Sequence, residues 1–139
     1  MSTKKGVAFR RPTVQIEQET ILLDKELKLS DSAQDQNIAT DAKTFTLPLI
    51  ATEMLGAPYH FRNTGADGAI ALTISPNALD AIHGTVANSA ADSVASGVVN
   101  KNIVLTKATA NKGDYITLIP VALTEWYIAG GVGIWASEA

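Results

Sequence analysis

The sequence predicts an all-β protein, an antiparallel β-sandwich or jelly-roll-like module with an extended N-terminal arm. Short runs of alternating apolar and polar residues recur along the chain, as in residues 44–49, where Phe45, Leu47 and Leu49 share one face. Gly, Pro, Asn, Asp and Ser separate these runs, and the residue pattern contains no long amphipathic helix. Roughly six to eight short strands joined by frequent turns are typical of packed antiparallel sheets.

Length and composition fit one such module. The chain has 139 residues and no cysteine, so disulfides and thiolate metal sites are excluded. We divide it into an arm over residues 1–18 and a single domain over residues 19–139. No basic-then-apolar leader opens the sequence, and no apolar run approaches the ~20 residues needed to cross a bilayer. We therefore expect a soluble protein made in the cytoplasm, with no membrane partner.

Charge is distributed unevenly along the chain. The first 16 residues contain no acidic residue and carry a charge of +4, from Lys4, Lys5, Arg10 and Arg11. The rest of the chain has 7 basic and 14 acidic residues, a net charge of −7. Because nucleic-acid-binding domains gather their basic residues on one folded face, this distribution argues against a nucleic-acid partner. The basic arm fits an acidic partner surface, and a solvated terminus fits the same residues equally well.

Further strands follow from the same alternation. One half-buried strand is predicted over residues 21–29, although its Leu-Asp-Lys-Glu centre also fits a helical turn. Residues 59–63 and 70–75 alternate on either side of five residues that include two glycines, which predicts a β-hairpin. Residues 77–100 show no strong period, so we expect a helical turn or a projecting loop there. Residues 102–108 predict another strand.

The aromatic-rich stretch from residue 113 to residue 135 decides between a ligand site and a structural hairpin. Its alternation predicts two strands, with a turn near Pro120 and at least one tryptophan inside. Gly113, Gly130 and Gly131 are interpreted as turn glycines, because glycine adopts the required backbone angles at low cost. We expect this hairpin to belong to the core. The predicted core and hairpin residues are Phe45, Leu47, Tyr59, Phe61, Ile116, Leu118 and Trp126.

No catalytic or metal-binding constellation emerges from the sequence. His60 falls on the outer face of a predicted strand and His83 in an irregular stretch, and a structural role is more common for such residues than catalysis. No His-Glu-x-x-His spacing, nucleophile elbow or phosphate-binding loop is present. Asp67 fits a turn better than a calcium loop. We expect no enzyme activity, no catalytic or metal-binding residue and no cofactor.

Seven short motifs, taken in order, resemble a known family. The chain looks like the small capsid decoration (cement) proteins of tailed bacteriophages and related β-rich virion proteins, over about residues 20–135. One departure is that a tight turn often precedes the Trp-Tyr pair in this family, where this chain has residues 120–124. The motifs are Leu-x-Leu-Ser (27–30), Phe-Thr-Leu-Pro (45–48), Gly-x-x-Tyr-x-Phe (56–61), Ile-x-Leu-x-Ile (70–74), Ile-His-Gly (82–84), Gly-Asp-Tyr-Ile-x-Leu (113–118) and Glu-Trp-Tyr-Ile-x-Gly-Gly (125–131).

The resemblance implies a structural role rather than a reaction. It implies a homotrimer that binds the major capsid protein on the outer surface of a capsid and stabilises the shell. It supplies no catalytic residue. We interpret Lys4, Lys5, Arg10 and Arg11 as capsid-contact residues, because a basic arm could lie along the shell and become ordered there.

A second hypothesis uses the same sandwich as a receptor- or glycan-binding module of a virion or cell surface. Trp126, Tyr127 and Trp135 would then stack against a sugar. Because adjacent strand residues point to opposite faces, Trp126 and Tyr127 cannot share one flat platform. Burial of Trp126 would count against this hypothesis.

Overall fold

The computed structural model of the chain describes residues 17–87 and 93–138, which form two β-sheets around one core. Short 3-10 turns within this part span Leu29–Asp31, Thr52–Met54 and Lys107–Thr109. The strands of the described residues are β1 (Glu17–Ile21), β2 (Lys25–Glu26), β3 (Gln34–Ile38), β4 (Lys43–Thr46), β5 (Tyr59–Asn63), β6 (Leu72–Ser75), β7 (Ala81–Val86), β8 (Ser93–Ser96), β9 (Ile103–Leu105), β10 (Tyr115–Ala122), β11 (Glu125–Val132) and β12 (Trp135–Ser137).

The first six strands wind between the two sheets. The strand order is β1-β3-β5-β10-β11-β7-β8 in the seven-stranded sheet and β12-β9-β6-β4-β2 in the five-stranded sheet. β1, β3 and β5 are parallel neighbours in one sheet, and β2, β4 and β6 are parallel neighbours in the other. Parallel neighbours cannot be joined by a tight hairpin. The chain therefore returns through the opposite sheet each time, which produces three stacked coils, β1–β2, β3–β4 and β5–β6.

The second half of the chain closes both sheets with mainly antiparallel pairs. β10 pairs with β5 on one side and with β11 on the other, both antiparallel. β7 pairs antiparallel with β8, and β9 lies antiparallel between β6 and β12. The pairing of β11 with β7 is the parallel exception. Long-range pairings of this kind place the ends of distant strands side by side, which positions the surface described below.

The core lies between the inner faces of the two sheets. Phe45 and Phe61 make an edge-to-face contact across the sheets, with ring centroids 5.4 Å apart. Tyr59 and Trp126, both in the seven-stranded sheet, make another edge-to-face contact, with ring centroids 5.3 Å apart. Each fully buried large apolar side chain contributes about 1.5–3 kcal/mol through the surface it removes from water. All seven predicted core residues are buried: Phe45, Leu47, Tyr59, Phe61, Ile116, Leu118 and Trp126.

The all-β class and the sandwich-like arrangement are confirmed, whereas the strand directions are mixed rather than uniformly antiparallel. The predicted hairpin of residues 59–63 and 70–75 is wrong, because β5 and β6 lie in different sheets. The buried side chain of Asn63 organises the connection instead. It accepts a hydrogen bond from the Gly65 N–H at 2.9 Å and donates one to the Asn111 carbonyl at 3.0 Å. This holds a crossover where the alternation indicated a turn.

Two other predictions are corrected by the strand boundaries. The single strand predicted over residues 21–29 is broken into β1 and β2, with Leu23 exposed between them and Leu29 in a 3-10 turn. Residues 77–100, where a helical turn or a projecting loop was expected, contain β7 and β8 on either side of the residues that lie outside the described part. Their Ala, Ser and Gly content hides the two-residue period, because few of their side chains are large enough to mark a face.

The glycine prediction is correct at one position and wrong at two. Gly113 lies in a turn with φ of +99°, where a side chain would be strained. Gly130 and Gly131 lie inside β11, beside a register shift opposite Thr117. A Cβ on Gly131 would lie 2.8 Å from the Tyr115 carbonyl oxygen, so glycine permits a close approach of two strands there.

The predicted turn near Pro120 is displaced. Pro120 lies within β10, and the chain reverses at residues 123–124. β1 begins at Glu17, inside the segment predicted as an arm over residues 1–18. Residues 1–16, with the predicted capsid-contact residues Lys4, Lys5, Arg10 and Arg11, lie outside the described residues.

Candidate functional site

The connections between strands gather at two opposite ends of the sandwich. One end, which we call the apolar end, is formed by residues 27–33, 47–58, 76–80, 97–102 and 121–124. The parallel register of β2, β4 and β6 brings the exits of all three strands to this end, and the antiparallel register of β5 and β10 adds the β10–β11 turn. The opposite end, which we call the charged end, is formed in the described part by residues 22–24, 39–42, 63–71, 106–114 and 132–134.

The apolar end exposes a group of large aliphatic side chains. Eight of the twelve exposed large hydrophobic residues in the described part lie here, each between 42% and 68% exposed. Monomeric proteins rarely expose apolar patches beyond a few hundred Å², and larger ones mark interaction sites. These eight residues define the candidate docking surface: Leu29, Leu49, Leu55, Leu79, Val98, Val99, Val121 and Leu123.

Backbone hydrogen bonds hold the connections of the apolar end together. The Gly56 N–H donates to the Pro120 carbonyl at 2.8 Å, which joins the turn after the Thr52–Met54 segment to β10. The Ala81 N–H donates to the Thr124 carbonyl at 2.9 Å. The Asn100 N–H donates to the Asp80 carbonyl, also at 2.9 Å. Because the loops are bonded to one another, their aliphatic side chains are presented with little ordering cost on binding.

A buried carboxylate lies beneath this end. Asp80 is fully buried, and neither of its side-chain oxygens has a hydrogen-bond partner in the described residues. The Trp126 indole N–H, also unpartnered, and the Ile50 amide face this carboxyl without reaching full hydrogen-bond geometry. Burial raises the pKa of Asp80, and these two donors only partly oppose that rise. A neutral Asp80 is therefore favoured in the folded protein more than in the unfolded chain.

The charged end is built differently, with carboxylates that bind backbone N–H groups. Asp41 accepts from the Ala71 N–H at 2.8 Å and pairs with Lys107 at 2.5 Å. Lys107 and then the Ala71 N–H lower the pKa of Asp41. Asp67 accepts from the Lys112 N–H at 2.7 Å. The exposed large apolar residues at this end are Leu22, Leu23 and Val132.

The outer face of the seven-stranded sheet carries polar and aromatic side chains. His60 Nδ1 lies 2.9 Å from the Thr117 hydroxyl, and Arg62 Nε donates to Asp35 at 3.1 Å. Arg62 also lies over the Tyr115 ring, 5.1 Å from its centroid. Burial lowers the pKa of His60, Asp35 opposes this effect, and Arg62 adds to it. At neutral pH this face is therefore a polar surface with an uncharged histidine.

Asp35, His60 and Thr117 form a row with the residue types of a nucleophile and its base, but their surroundings do not support nucleophilic catalysis. Thr117 lies in β10 between β5 and β11, so its backbone is part of the ladder on both sides. A nucleophile of this kind needs nearby N–H donors aimed at a developing oxyanion. Asp35 Oδ2 binds Arg62 and Asp35 Oδ1 has no hydrogen-bond partner in the described residues, so no hydrogen bond from Asp35 orients the histidine. We interpret the row as cross-strand pairing on a sheet face.

His83 is placed in β7 rather than in an irregular stretch. Its ring stacks on Tyr127, with centroids 5.1 Å apart and an interplanar angle of 18°. A Cβ on Gly97 would lie 2.8 Å from His83 Nδ1, so the glycine makes room for the ring. Within residues 17–87 and 93–138, no group of three or more His, Asp or Glu residues could hold a metal ion. The same residues include no helix long and apolar enough to span a bilayer.

The sequence interpretation missed the apolar end. Alternation placed Leu49 on the same face as Phe45 and Leu47, but β4 ends at Thr46 and Leu49 points to solvent. A usable signal was present in the turns. Leu79 and Leu123 are large aliphatic residues in short connections, where polar residues are usual. A single exposed leucine is ordinary, but several in the turns of one end indicate an interaction surface.

Comparison with known proteins adds no family assignment. No protein-family model and no curated protein matches the chain.

Proposed function

We propose that this chain is a structural virion protein, a capsid decoration protein that docks on the outer surface of a capsid and stabilises the shell. The apolar end carries the proposal. It offers a preformed surface of eight exposed aliphatic residues whose loops are held by backbone hydrogen bonds. The order of the sequence motifs supports the choice of a capsid as the partner.

The surface fits a large, flat protein partner better than a small ligand. Its apolar side chains project from separate connections across the end of the sandwich, which suits shape-complementary contact over a broad area. The major capsid protein would bury these side chains, and repetition over many sites would let a modest single contact reinforce the lattice. Assembly as a homotrimer belongs to the same proposal.

A binding test compares two valines on one hairpin. Val121 at the apolar end is 56% exposed and Val132 at the charged end is 48% exposed. Val121→Asp and Leu123→Asp, alone and together, are mixed with undecorated shells of the major capsid protein from the virus that carries this chain. Co-sedimentation is expected to show binding at least ~10-fold weaker for the double variant, because two charges are forced into a desolvated contact.

The Val132→Asp variant is the matched control and is expected to bind like the unchanged protein. Thermal melting of all variants establishes that each is folded. Equal binding by the double variant and the control would contradict the proposed docking surface. A failure of the unchanged protein to bind or stabilise the shells would contradict the decoration function itself.

The glycan-binding alternative retains one supporting observation. Tyr127 is exposed on the outer face of the seven-stranded sheet and its ring is held by His83. Trp126 and Trp135 are both buried, so neither can stack on a sugar. A glycan array probed with the unchanged protein and with Tyr127→Ala tests this alternative, which requires a signal that the substitution removes.

A further inference from the structure

The first coil of the sandwich has an open edge. β1 is the last strand of the seven-stranded sheet and β2 is the last strand of the five-stranded sheet. In the described part of the chain, β1 pairs with β3 over five residues and with no other strand. The backbone groups on its other side are therefore available to an added strand, as in proteins that bind an extended peptide at a sheet edge.

An apolar groove accompanies this edge. Leu22 and Leu23, in the connection between β1 and β2, are 65% and 74% exposed. With Thr20, Ile21 and Lys25 they line a groove of about 260 Å³. Leu23 is the most exposed large apolar side chain of the described residues. An added strand would cover these leucines while it satisfies the backbone edge.

The distribution of charge along the chain indicates which segment would occupy the β1 edge. Residues 17–26 contain Glu17, Glu19, Asp24 and Glu26 against one lysine, a net charge of −3. Residues 1–16, outside the described part, carry +4 and no acidic residue. They also contain apolar residues spaced by two, namely Val7 and Phe9, then Val14 and Ile16. Opposite charge and a two-residue period are the properties that a strand added to β1 requires.

Chain direction favours the edge of another copy over that of the same copy. To bring Val7 and Phe9 beside the groove of its own copy, the segment would have to reverse near residue 15, but residues 13–18 contain no Gly, Pro, Asn or Asp. An extended segment of 16 residues reaches about 50 Å, which spans the distance to an adjacent molecule.

We propose that the N-terminal segment of one copy adds as a strand to the β1 edge of a neighbouring copy and so joins the copies into an oligomer. The segment joins the chain at Glu17, the first residue of the strand whose edge it would occupy on the neighbour, so each copy both gives a segment and receives one. Such an exchange closes as a reciprocal pair or as a ring, depending on the rotation between copies. This self-association needs no capsid, so the charge variants test the strand exchange in solution, and co-sedimentation with shells tests capsid docking separately.

The first experiment exchanges charges in the full-length chain. One variant carries Lys4→Glu, Lys5→Glu, Arg10→Glu and Arg11→Glu, and a second carries Glu17→Lys and Glu19→Lys. Light scattering after size-exclusion chromatography at low salt is expected to give a multiple of the chain mass for the unchanged protein and a single-chain mass for each variant. An equal mixture of the two variants is expected to recover the larger mass, because each altered segment then meets an oppositely charged edge.

A single-chain mass for the unchanged protein at all concentrations would overturn the proposal. So would an unchanged oligomer mass in the variant with the reversed N-terminal segment. Thermal melting is the folding control. The variant with Glu17→Lys and Glu19→Lys changes residues of β1, so a loss of its oligomer could reflect a change in folding. The variant with the reversed N-terminal charges avoids this problem, because its substitutions lie outside the described strands.

A second experiment identifies the strand that receives the segment. The chain has no native cysteine, so any disulfide that forms must involve the engineered cysteines. Thr20→Cys in β1 is combined with Val7→Cys or with Val14→Cys and exposed to a mild oxidant, which removes two electrons and two protons as the S–S bond forms. Disulfide-linked multiples on a non-reducing gel are expected. Linkage confined to single chains would show that the segment folds back on its own edge, and it would overturn the exchange between copies.

Discussion

The connections at the two ends of the sandwich are held together in different ways. At the charged end, side chains join the connections in addition to backbone groups, as Asp41 binds the Ala71 N–H and Asp67 binds the Lys112 N–H. At the apolar end, backbone groups fix them, as Gly56 binds the Pro120 carbonyl and Ala81 binds the Thr124 carbonyl. The eight exposed side chains of the docking surface make none of these bonds, so they do not hold the connections together. Their aliphatic character has no structural explanation in the isolated chain, and the docking proposed above would supply one.

The buried tryptophans extend the comparison into the core. Trp135, near the charged end, donates its indole N–H to the Val132 carbonyl at 3.2 Å. Trp126, near the apolar end, has no hydrogen-bond partner for its indole N–H in the described residues. Both rings are almost fully buried. The largest predicted effects follow from removing them.

Trp126→Ala and Trp135→Ala are each expected to destabilise the protein by about 3–5 kcal/mol, because each leaves a large cavity between the sheets. Replacement by Phe separates the two ends. Trp135→Phe is expected to cost about 1 kcal/mol more than Trp126→Phe, since only Trp135 loses a hydrogen bond. Urea denaturation measures both differences. An equal cost for the two Phe variants would show that the indole N–H of Trp126 is satisfied in solution.

A second prediction tests whether side chains stabilise one end and not the other. Asn63→Ala, at the charged end, leaves the Gly65 N–H and the Asn111 carbonyl without their partner and is expected to cost about 1–3 kcal/mol. Leu79→Ala, at the apolar end, is expected to change the free energy of unfolding by no more than about 0.5 kcal/mol, because Leu79 is 68% exposed. Similar costs for the two variants would remove the distinction between the ends.

A third prediction concerns the carboxylate beneath the apolar end. The pKa of Asp80 is raised in the folded protein, so the folded state binds a proton over a pH range in which the unfolded chain has lost it. Stability from this group is therefore present at low pH and lost as pH rises from about 4 through the folded pKa. Asp80→Asn removes this loss and is expected to stabilise the protein by about 1 kcal/mol at pH 7 and not at pH 3.

Thermal melting across this pH range measures the effect as a difference between variant and unchanged protein. The difference cancels the opposing contribution of His60, whose lowered pKa reduces stability as pH falls below about 6.5. Glu53→Gln is the control, an exposed carboxylate at the same end. A gain from Asp80→Asn that is the same at pH 3 and pH 7 would show that its origin is packing and not ionisation.

The sequence was sufficient for the fold class and the core, but not for the sheet directions or the docking surface. Alternation identifies which residues face inwards within one strand, and it placed Phe61 and Trp126 correctly. It carries no information about which strands pair. β5 and β6 alternate like a hairpin, yet the hydrogen bonds of Asn63 direct the chain to the other sheet.

The apolar end was inaccessible for a related reason. Residues such as Leu55 and Val121 are far apart in the sequence, and only the register of β5 with β10 brings their connections together. Burial depends on where each strand stops: β4 ends at Thr46, three residues before the predicted end, and Leu49 is exposed. Exposed turn leucines could have signalled the surface, although not its extent.

The smallest predicted effects involve two alanines with left-handed backbone, one at each end. Ala33 at the apolar end and Ala42 at the charged end both have φ of +61°. A left-handed conformation costs a non-glycine residue about 1–2 kcal/mol, and glycine loses about 0.5–1 kcal/mol more chain entropy on folding. Ala33→Gly and Ala42→Gly are therefore each expected to stabilise the protein by about 0.5–1 kcal/mol in urea denaturation. Equal gains would show that the two ends differ in their side chains and not in their backbone strain. A gain at Ala42 alone would show that the backbone around Ala33 relieves the strain of the left-handed conformation.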